Sequence, residues 1–157
     1  MSDKKLWSPS TTRNNINKFT NYINKEVNIN SYEDLHRWSI EKKEIFWDKI
    51  WQFTNIIGEK KNIIFRDSAN FIETKFFETS LLNYAENCLQ NNNDDDAIIF
   101  YNEQKISKRV SWKQLRSNVF KISHYFKSIN IKPQDRIAAV LPNIPETVEA
   151  FLACAQI

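Results

Sequence analysis

The sequence predicts an α/β fold in which a helical N-terminal segment precedes the first part of a layered strand–helix domain. Apolar residues recur at helical spacing through the first 57 residues, whereas the order from residue 97 onward is β-β-α-β-α. The run "RIAAVL", at 136–141, is almost continuously apolar, as is typical of a parallel strand buried on both faces. These observations predict two parts, residues 1–92 and residues 93–157.

Three helices are predicted in the first 58 residues. Residues 1–9 are expected to form an extended arm, and a helix from Ser10 to about Lys25 is predicted by the apolar face Ile16, Phe19, Tyr22 and Ile23. Ser31, with Asp34 three residues on, is close to a capping box and predicts a helix from Tyr32 to about Trp38. Ser39 is then expected to cap a third helix, which runs from about Glu41 to Ile57 and ends at Gly58.

The third predicted helix has an unusually wide aromatic face, made of Phe46, Trp47, Ile50, Trp51, Phe53 and Ile57. Such a face needs a partner. Two interpretations stay open: packing within the protein itself, or binding to a membrane surface. The polar side of the helix carries both signs of charge, which argues against membrane binding.

The rest of the sequence, from residue 59 onward, predicts short strands, a hairpin and three more helices. Residues 59–79 are expected to be short strands or irregular structure, a short helix begins at Ser80, and residues 91–96 form a solvated loop. A hairpin turns at "NEQK", and Ser111 caps a helix whose apolar stripe is Trp112, Leu115, Val119, Ile122, Phe126 and Ile129. A last helix begins at Pro145, with Val148, Phe151, Leu152 and Ala155 on one face.

The last predicted helix has no glycine, basic last turn or cap before the sequence ends at Ile157. We therefore expect the chain to be a fragment: a truncated gene product, an incomplete sequence or the first part of a split enzyme. A parallel sheet that stopped at this point would have an unpaired edge and a tendency to associate.

The composition excludes several classes of function. The net charge of +3 is spread along the chain, so it argues only weakly for an acidic partner, and we expect no nucleic-acid stripe. The first ten residues have no apolar signal core and no stretch has membrane-spanning length, which predicts a cytoplasmic protein without a membrane partner. Cys88 and Cys154 are expected to be reduced thiols in helices, with a redox pair or metal site as the alternative.

The chain has a single glycine, Gly58. Loops that bind nucleotide phosphates use several glycines, because their backbone N–H groups must approach the anion closely. His36 and His124 lie in different predicted helices, and no nucleophile–base pair or calcium loop can be written around them or around residues 94–96. We therefore expect no catalytic residue, no cofactor-binding residue and no metal ligand in this chain.

Several stretches resemble a known family. The stretches "LWSPS", "YEDLHRWSIEKKEIFWDKIW" and "FFETSLLNYAENCL" are similar to the N-terminal segment of acetyl-CoA-synthetase-like enzymes, and residues 111–157 to the first βαβα of the adenylate-forming fold. The "LNYAEN" and "LPNIPET" pieces favour the acetoacetate–CoA ligases within that group over the acetate–CoA ligases. The resemblance covers residues 6–157.

The sequence departs from the family where the family has glycine. Asn130–Ile131 replaces a Gly-Val pair, Gln134 replaces the glycine of a "GDR" turn, and Thr79–Ser80 replaces a Gly-Ala-like pair. Asparagine tolerates the left-handed region and glutamine does so less well, so we expect the turn at 132–135 to be reshaped.

The resemblance implies an activity for a chain several times longer. The family joins an acid to coenzyme A through an acyl-adenylate, so acetoacetate, ATP, Mg²⁺ and CoA are the implied substrates and cofactors of the whole enzyme. Its phosphate loop, adenine motif, hinge and catalytic lysine all lie beyond the position of Ile157, so this chain is expected to be inactive alone and to bind none of them tightly. The missing remainder of the enzyme is the implied partner, and the alternative is a stand-alone interaction module that docks through its apolar helices.

Overall fold

The computed structural model describes residues 14–103 and 105–157, and its contacts divide them into two compact units. Unit 1 contains residues 14–56 and 60–80, and unit 2 contains residues 57–59 and 81–157. The predicted arm at residues 1–9 and the predicted helix start at Ser10 lie outside the described residues. The predicted boundary between residues 92 and 93 stays a prediction.

The described residues of unit 1 contain three α-helices, α1 (Asn15–Ile23), α2 (Tyr32–Glu41) and α3 (Lys43–Phe53), and a 3₁₀ helix at Phe71–Glu73. The Asn14 side chain caps α1 through the N–H of Ile16, which was not predicted. The hydroxyl of Ser31 caps α2 through the N–H of Asp34, as predicted. The prediction for Ser39 was wrong, because α2 continues through this residue. The Ser39 hydroxyl donates to the carbonyl of His36 instead, and α3 starts without a side-chain cap.

Helix α3 is shorter than predicted, because it ends at Phe53 rather than at Ile57. Thr54 is its C-cap, and Asn55 follows with a φ of 52°, a left-handed conformation that stops the helix. Asparagine adopts this conformation more readily than most residues, so the helix stops at Asn55 and not at Gly58, where its end was predicted.

The aromatic face of α3 is used within unit 1. Phe46 and Phe53 contact Phe19 of α1 edge-on, with ring centroids 5.9 and 5.2 Å apart. The other side of the helix meets a two-stranded antiparallel sheet, β1 (Phe65–Arg66) and β2 (Lys75–Phe76), where Trp47 contacts Phe76 at 5.0 Å. The width of the face is therefore explained by packing on two sides.

Unit 2 consists of a short helix, a hairpin and two longer helices. They are α4 (Tyr84–Cys88), β3 (Asp96–Tyr101), β4 (Ile106–Ser111), α5 (Trp112–Ser128) and α6 (Pro145–Gln156). Strands β3 and β4 are antiparallel, with Ile98 opposite Val110, which confirms the predicted hairpin. Ser111 and Gln114 form a complete capping box at the start of α5.

The core of unit 2 lies where α4, the hairpin, α5 and α6 meet. Its buried members are Ala85, Leu89, Val110, Leu115, Val119, Leu152 and Ala153. The stripe predicted for α5 is largely confirmed, although Ile129 at its end is half exposed.

The predicted strand at 136–141 is not formed. In the described part of the chain both sheets have two strands and are antiparallel, so the predicted parallel crossover is absent from it. A strand exists through hydrogen bonds to a neighbour, and the described residues offer this segment none.

Candidate functional site

Segment 136–141 is the most exposed apolar part of unit 2. All six residues are exposed, including Ile137 and Leu141, and Val140 is fully accessible to solvent. An extended apolar run of this kind could pair with a neighbouring strand, but among the described residues it pairs with none. Because these residues alternate to both faces when extended, the segment can bury itself only between two layers.

Helix α6 has a second apolar side that faces solvent. Leu152 and Ala153 are buried in the core, whereas Val148 is 39% exposed and Phe151 is 60% exposed. The predicted single stripe is therefore split between a buried side and an open side. A helix that is apolar nearly all round is one that is covered on both sides in its working state.

The buried side of α6 is fixed by polar contacts as well as by packing. Glu149, which is 5% exposed, accepts a hydrogen bond of 2.9 Å from the side-chain amide of Asn118 on α5. Glu146 in the first turn forms an ion pair with Lys108 on β4. These contacts hold α6 in place, so its open side is presented at a defined position in unit 2.

Two asparagines of the "LNYAEN" piece have structural roles that were not predicted from the sequence. The side chain of Asn83 caps α4 through the N–H of Glu86 and donates to the carbonyl of Ala155 near the end of α6. The amide of Asn87 pairs with both backbone groups of Ile57. Asparagine three residues before a helical glutamate is a recognisable N-cap signal, but its distant partners have no local sequence signature.

We define the docking surface as segment 136–141 together with the open side of α6. It contains apolar side chains, exposed backbone N–H and C=O groups, and no group of titratable residues arranged for chemistry. Within the described ranges 14–103 and 105–157, no three His, Cys, Asp or Glu side chains are grouped so that they could hold a metal ion. What this arrangement can do chemically is bind another polypeptide by strand addition and apolar burial.

Comparison with known proteins gives the context of this surface. Residues 85–157 match the family model described as "AMP-binding enzyme". Over 99% of its length the chain is 30% identical to the acetoacetyl-coenzyme A synthetase of Rhizobium meliloti (strain 1021), of which it covers 25%. The solved structure of the acetoacetyl-CoA synthetase from Streptomyces lividans matches 97% of the chain with a TM-score of 0.81 and 26% identity, and the chain covers 25% of it.

The chain is related to the acetoacetyl-CoA synthetases. Like the first part of those enzymes, it has an α/β fold with helices and small sheets. It spans about a quarter of the length of the relatives it matches. The acetyl-coenzyme A synthetase of Alkalilimnicola ehrlichii (strain ATCC BAA-1101 / DSM 17681 / MLHE-1) is 32% identical over 87% of the chain, so the relationship extends to acetate enzymes.

The turn at residues 132–135, where the family was expected to have glycine, has a backbone conformation that normally requires glycine. Gln134 has a φ of 78° and Asn130 a φ of 64°. The N–H of Asp135 donates to the carbonyl of Lys132 at 3.1 Å, with Pro133 second and Gln134 third in the turn. This is the pattern of a type II turn, whose third position normally requires glycine or asparagine. Gln134 therefore accepts the left-handed conformation at a cost in free energy.

The cysteines and histidines considered as candidate site residues lie in ordinary structural environments. Cys88 and Cys154 are free thiols, and burial raises the pKa of Cys154 above its usual value. His36 stacks on Tyr32 in unit 1, and His124 stacks on Phe120 in unit 2. The expectation that this chain holds no catalytic, cofactor-binding or metal-binding residue stays a prediction.

A polar cleft of about 610 Å³ in unit 2 is the other feature of interest. Arg116, Lys127 and Glu86 are among its lining residues. The Arg116 guanidinium donates to the carbonyl of Leu89 at 3.0 Å and so ties α5 to the end of α4. This contact gives Arg116 a structural role.

The lengths of the helices bear on whether the chain could cross a membrane. Among the residues described, no helix is both long enough and apolar enough to cross a bilayer.

Proposed function

We propose that the chain is the N-terminal quarter of an ATP-dependent acid–thiol ligase that converts acetoacetate, ATP and CoA to acetoacetyl-CoA, AMP and diphosphate. The observation that carries the proposal is the match to acetoacetyl-CoA synthetases along nearly the whole chain and a quarter of theirs. The docking surface supports it, because a segment and a helix that lack neighbours are what a part of a larger domain would present.

In such a ligase the acid carboxylate attacks the α-phosphate of ATP, which forms the acyl-adenylate and releases diphosphate. The CoA thiol, deprotonated as it attacks, then adds to the activated carbonyl, and AMP leaves with the electron pair of the broken C–O bond. Mg²⁺ would neutralise phosphate charge during the first step. We assign none of these roles to residues of this chain, because its single glycine leaves it without a phosphate loop.

The role of this chain would be to support the site. Segment 136–141 would become a strand of the ligase sheet once neighbours pair with it, and the open side of α6 would be covered by the next layer. The substrates, ATP, Mg²⁺ and CoA would bind to the assembled enzyme. Its partner would be the remaining three quarters of the ligase.

The assembled enzyme would work in the cytoplasm. Both cysteines are free thiols, as is usual in a reducing compartment.

A chimaera tests the proposal. This chain would replace the matched first quarter of the Rhizobium meliloti relative, and acetoacetate-dependent ATP–diphosphate exchange would be measured. We expect exchange with acetoacetate above that with acetate, because the acyl pocket comes from the relative. A soluble, cooperatively melting chimaera without exchange would contradict the proposal.

Matched variants show whether the docking surface is responsible. Val140→Lys places a charge on the exposed segment, so it should abolish exchange by the chimaera. Ile72→Lys makes the same type of change at a residue of unit 1 that is 86% exposed, and it should leave exchange unchanged.

A stand-alone interaction module is the second candidate, because the same surface would serve a different partner. In that case the 157-residue chain would be soluble and monomeric, and Val140→Lys would remove binding to that partner. Full activity of a Val140→Lys chimaera would contradict the role of the docking surface in joining this chain to the rest of the ligase.

A further inference from the structure

The polar cleft of about 610 Å³ lies entirely within unit 2, between α4, α5 and the end of α6. Arg116 and Lys127 are eleven residues apart on α5, which is about three turns, so they lie on the same side of the helix. At about 1.5 Å per residue their backbone positions are about 16 Å apart, so the cleft is elongated along α5. Most of its lining side chains are polar: Asn83, Glu86, Gln90, Arg116, Lys127 and Gln156.

The charged groups of the cleft are available for a ligand. Within residues 14–103 and 105–157, neither the Glu86 carboxylate nor the Lys127 ammonium has an ion-pair partner, and both side chains are exposed. Arg116 gives one N–H to the carbonyl of Leu89, and a guanidinium has several more N–H donors. The cleft therefore presents two cations and one carboxylate that can bind groups of opposite charge.

Gln156 gives the clearest sign that the cleft lacks a neighbour. Its side-chain oxygen Oε1 is buried, and it has no hydrogen-bond partner in the part of the chain that the structure describes. Buried acceptors in folded proteins are nearly always paired. Gln156 lines the cleft, and the last torsion of a glutamine side chain is a broad one, so a rotation of the amide can present this oxygen to a donor in the cleft.

The mixture of groups favours a polypeptide over a small anion. A small anion would pair with Arg116 and Lys127, but it would offer no donor to Gln156 and would be repelled by Glu86. A polypeptide supplies acidic side chains and backbone N–H groups together. An extended segment rises about 3.3 Å per residue, so about five residues would span the distance between the two cations.

We propose that the polar cleft of unit 2 binds an extended, acidic polypeptide segment contributed by the remaining three quarters of the ligase. The acidic side chains would form charge-assisted hydrogen bonds with Arg116 and Lys127, and backbone N–H groups would donate to Gln156 and Glu86. The inference rests on the proposed function for the source of the segment, because the chain spans about a quarter of the relatives it matches.

The test compares the reactivity of Lys127 in two proteins. The 157-residue chain and the chimaera with the Rhizobium meliloti relative are treated with an amine-acetylating reagent, and each lysine is followed by mass spectrometry. We expect Lys127 to react readily in the chain alone and to lose most of this reactivity in the chimaera. Lys121, exposed on the same helix but outside the cleft lining, is the control and should react equally in both. Equal reactivity of Lys127 in the two proteins would overturn the proposal.

Charge variants test whether the bound segment is acidic. The midpoint of thermal unfolding of the chimaera should fall from the parent to Lys127→Gln and further to Lys127→Glu, because a carboxylate at this position would face acidic side chains. Lys127 lies in the last turn of α5, where a negative charge also opposes the helix dipole. The same variants of the 157-residue chain measure this local effect, and their shifts should be smaller. Equal shifts in the two proteins would overturn the assignment of an acidic segment.

Exchange activity of the same chimaera separates this inference from the proposed function. Acetoacetate-dependent exchange with a fully reactive Lys127 would overturn the binding site and leave the proposed function standing. Protection of Lys127 without exchange would support the binding site and contradict the proposed function. If inorganic phosphate alone protected Lys127 in the 157-residue chain as well as the chimaera does, the cleft would be a site for a small anion, and the polypeptide assignment would be overturned.

Discussion

The side-chain amide of Asn87 pairs with both backbone polar groups of Ile57, with N–H···O and N···O=C distances of 2.8 Å each. Asn24 makes the same pair of contacts with Ile29 in unit 1. In each case an asparagine imitates a neighbouring strand and satisfies a backbone segment that has left regular structure.

Removing the amide at position 87 should destabilise unit 2. Asn87→Ala leaves the N–H and C=O of Ile57 without their partner, so we expect a loss of about 1–2 kcal/mol in the free energy of unfolding. Urea denaturation measures this value. Asn91→Ala, in an exposed loop four residues later, is the control and should change it little. Equal effects of the two variants would contradict the role assigned to Asn87.

Gly58 should not tolerate a side chain. A Cβ at this position would lie 2.6 Å from the carbonyl oxygen of Leu81 and 2.9 Å from the Cβ of Leu82. The neighbouring residues Glu59 and Leu81 form a bridge through two backbone hydrogen bonds, so the clash falls on a fixed backbone. We expect Gly58→Ala to cost about 1–3 kcal/mol in urea denaturation, in the range of overpacked sites. An unchanged midpoint would contradict this close approach.

Glycine at position 134 should stabilise the chain. A left-handed conformation costs a non-glycine residue about 1–2 kcal/mol, and the greater entropy loss of glycine offsets about 0.5–1 kcal/mol of this. Gln134→Gly should therefore raise the free energy of unfolding by about 0.5–1 kcal/mol.

A series at the same position provides the control. Stability measured by thermal melting should fall in the order Gly, Asn, Gln, Val, because β-branched residues adopt positive φ least readily. If valine were as stable as glycine, the turn would not have the conformation described.

The Lys108–Glu146 ion pair should appear in the pH dependence of stability. The hydrogen bond from Lys108 lowers the pKa of Glu146 below its ordinary 4.5, and the same bond raises the pKa of Lys108 above 10.5. The contribution of Glu146 is therefore present above pH 4.5 and is lost as the pH falls through its lowered folded pKa. The contribution of Lys108 is present below pH 10.5 and is lost as the pH rises through its raised folded pKa.

Lys108→Met tests this pair. NMR titration should show the pKa of Glu146 rising toward 4.5 in the variant, while the pKa of Asp67, which Lys43 lowers in unit 1, stays unchanged. A Glu146 pKa that did not respond would contradict the pairing.

Local signals in the sequence predicted the parts of the fold that depend on local physics. Ser31 and Ser111 cap helices as their spacing predicts, and the hairpin lies between the predicted residues. The strand at 136–141 could be seen as an apolar run but requires partners that are far away in sequence or outside this chain. Helix α3 ends because Asn55 adopts a positive φ, and the spacing of apolar residues does not predict such a conformation.

The docking surface was also predicted only in part from the sequence. The sequence predicted a parallel sheet with an unpaired edge and helices without a partner layer. The parallel sheet is not formed among the described residues, whereas the exposure of Phe151 agrees with a helix that lacks a partner layer. It did not predict that Asn118 and Glu149 would hold α6 by its other side, because a glutamate in the first turns of a helix is normally an exposed residue.

The most direct test of the account is acetoacetate-dependent ATP–diphosphate exchange by the purified 157-residue chain on its own, next to the chimaera that carries it. Our account predicts no exchange by the chain alone and exchange by the chimaera, because the phosphate-binding loop comes from the rest of the ligase. Exchange by the monomeric chain alone, above the level of a blank reaction, would contradict it.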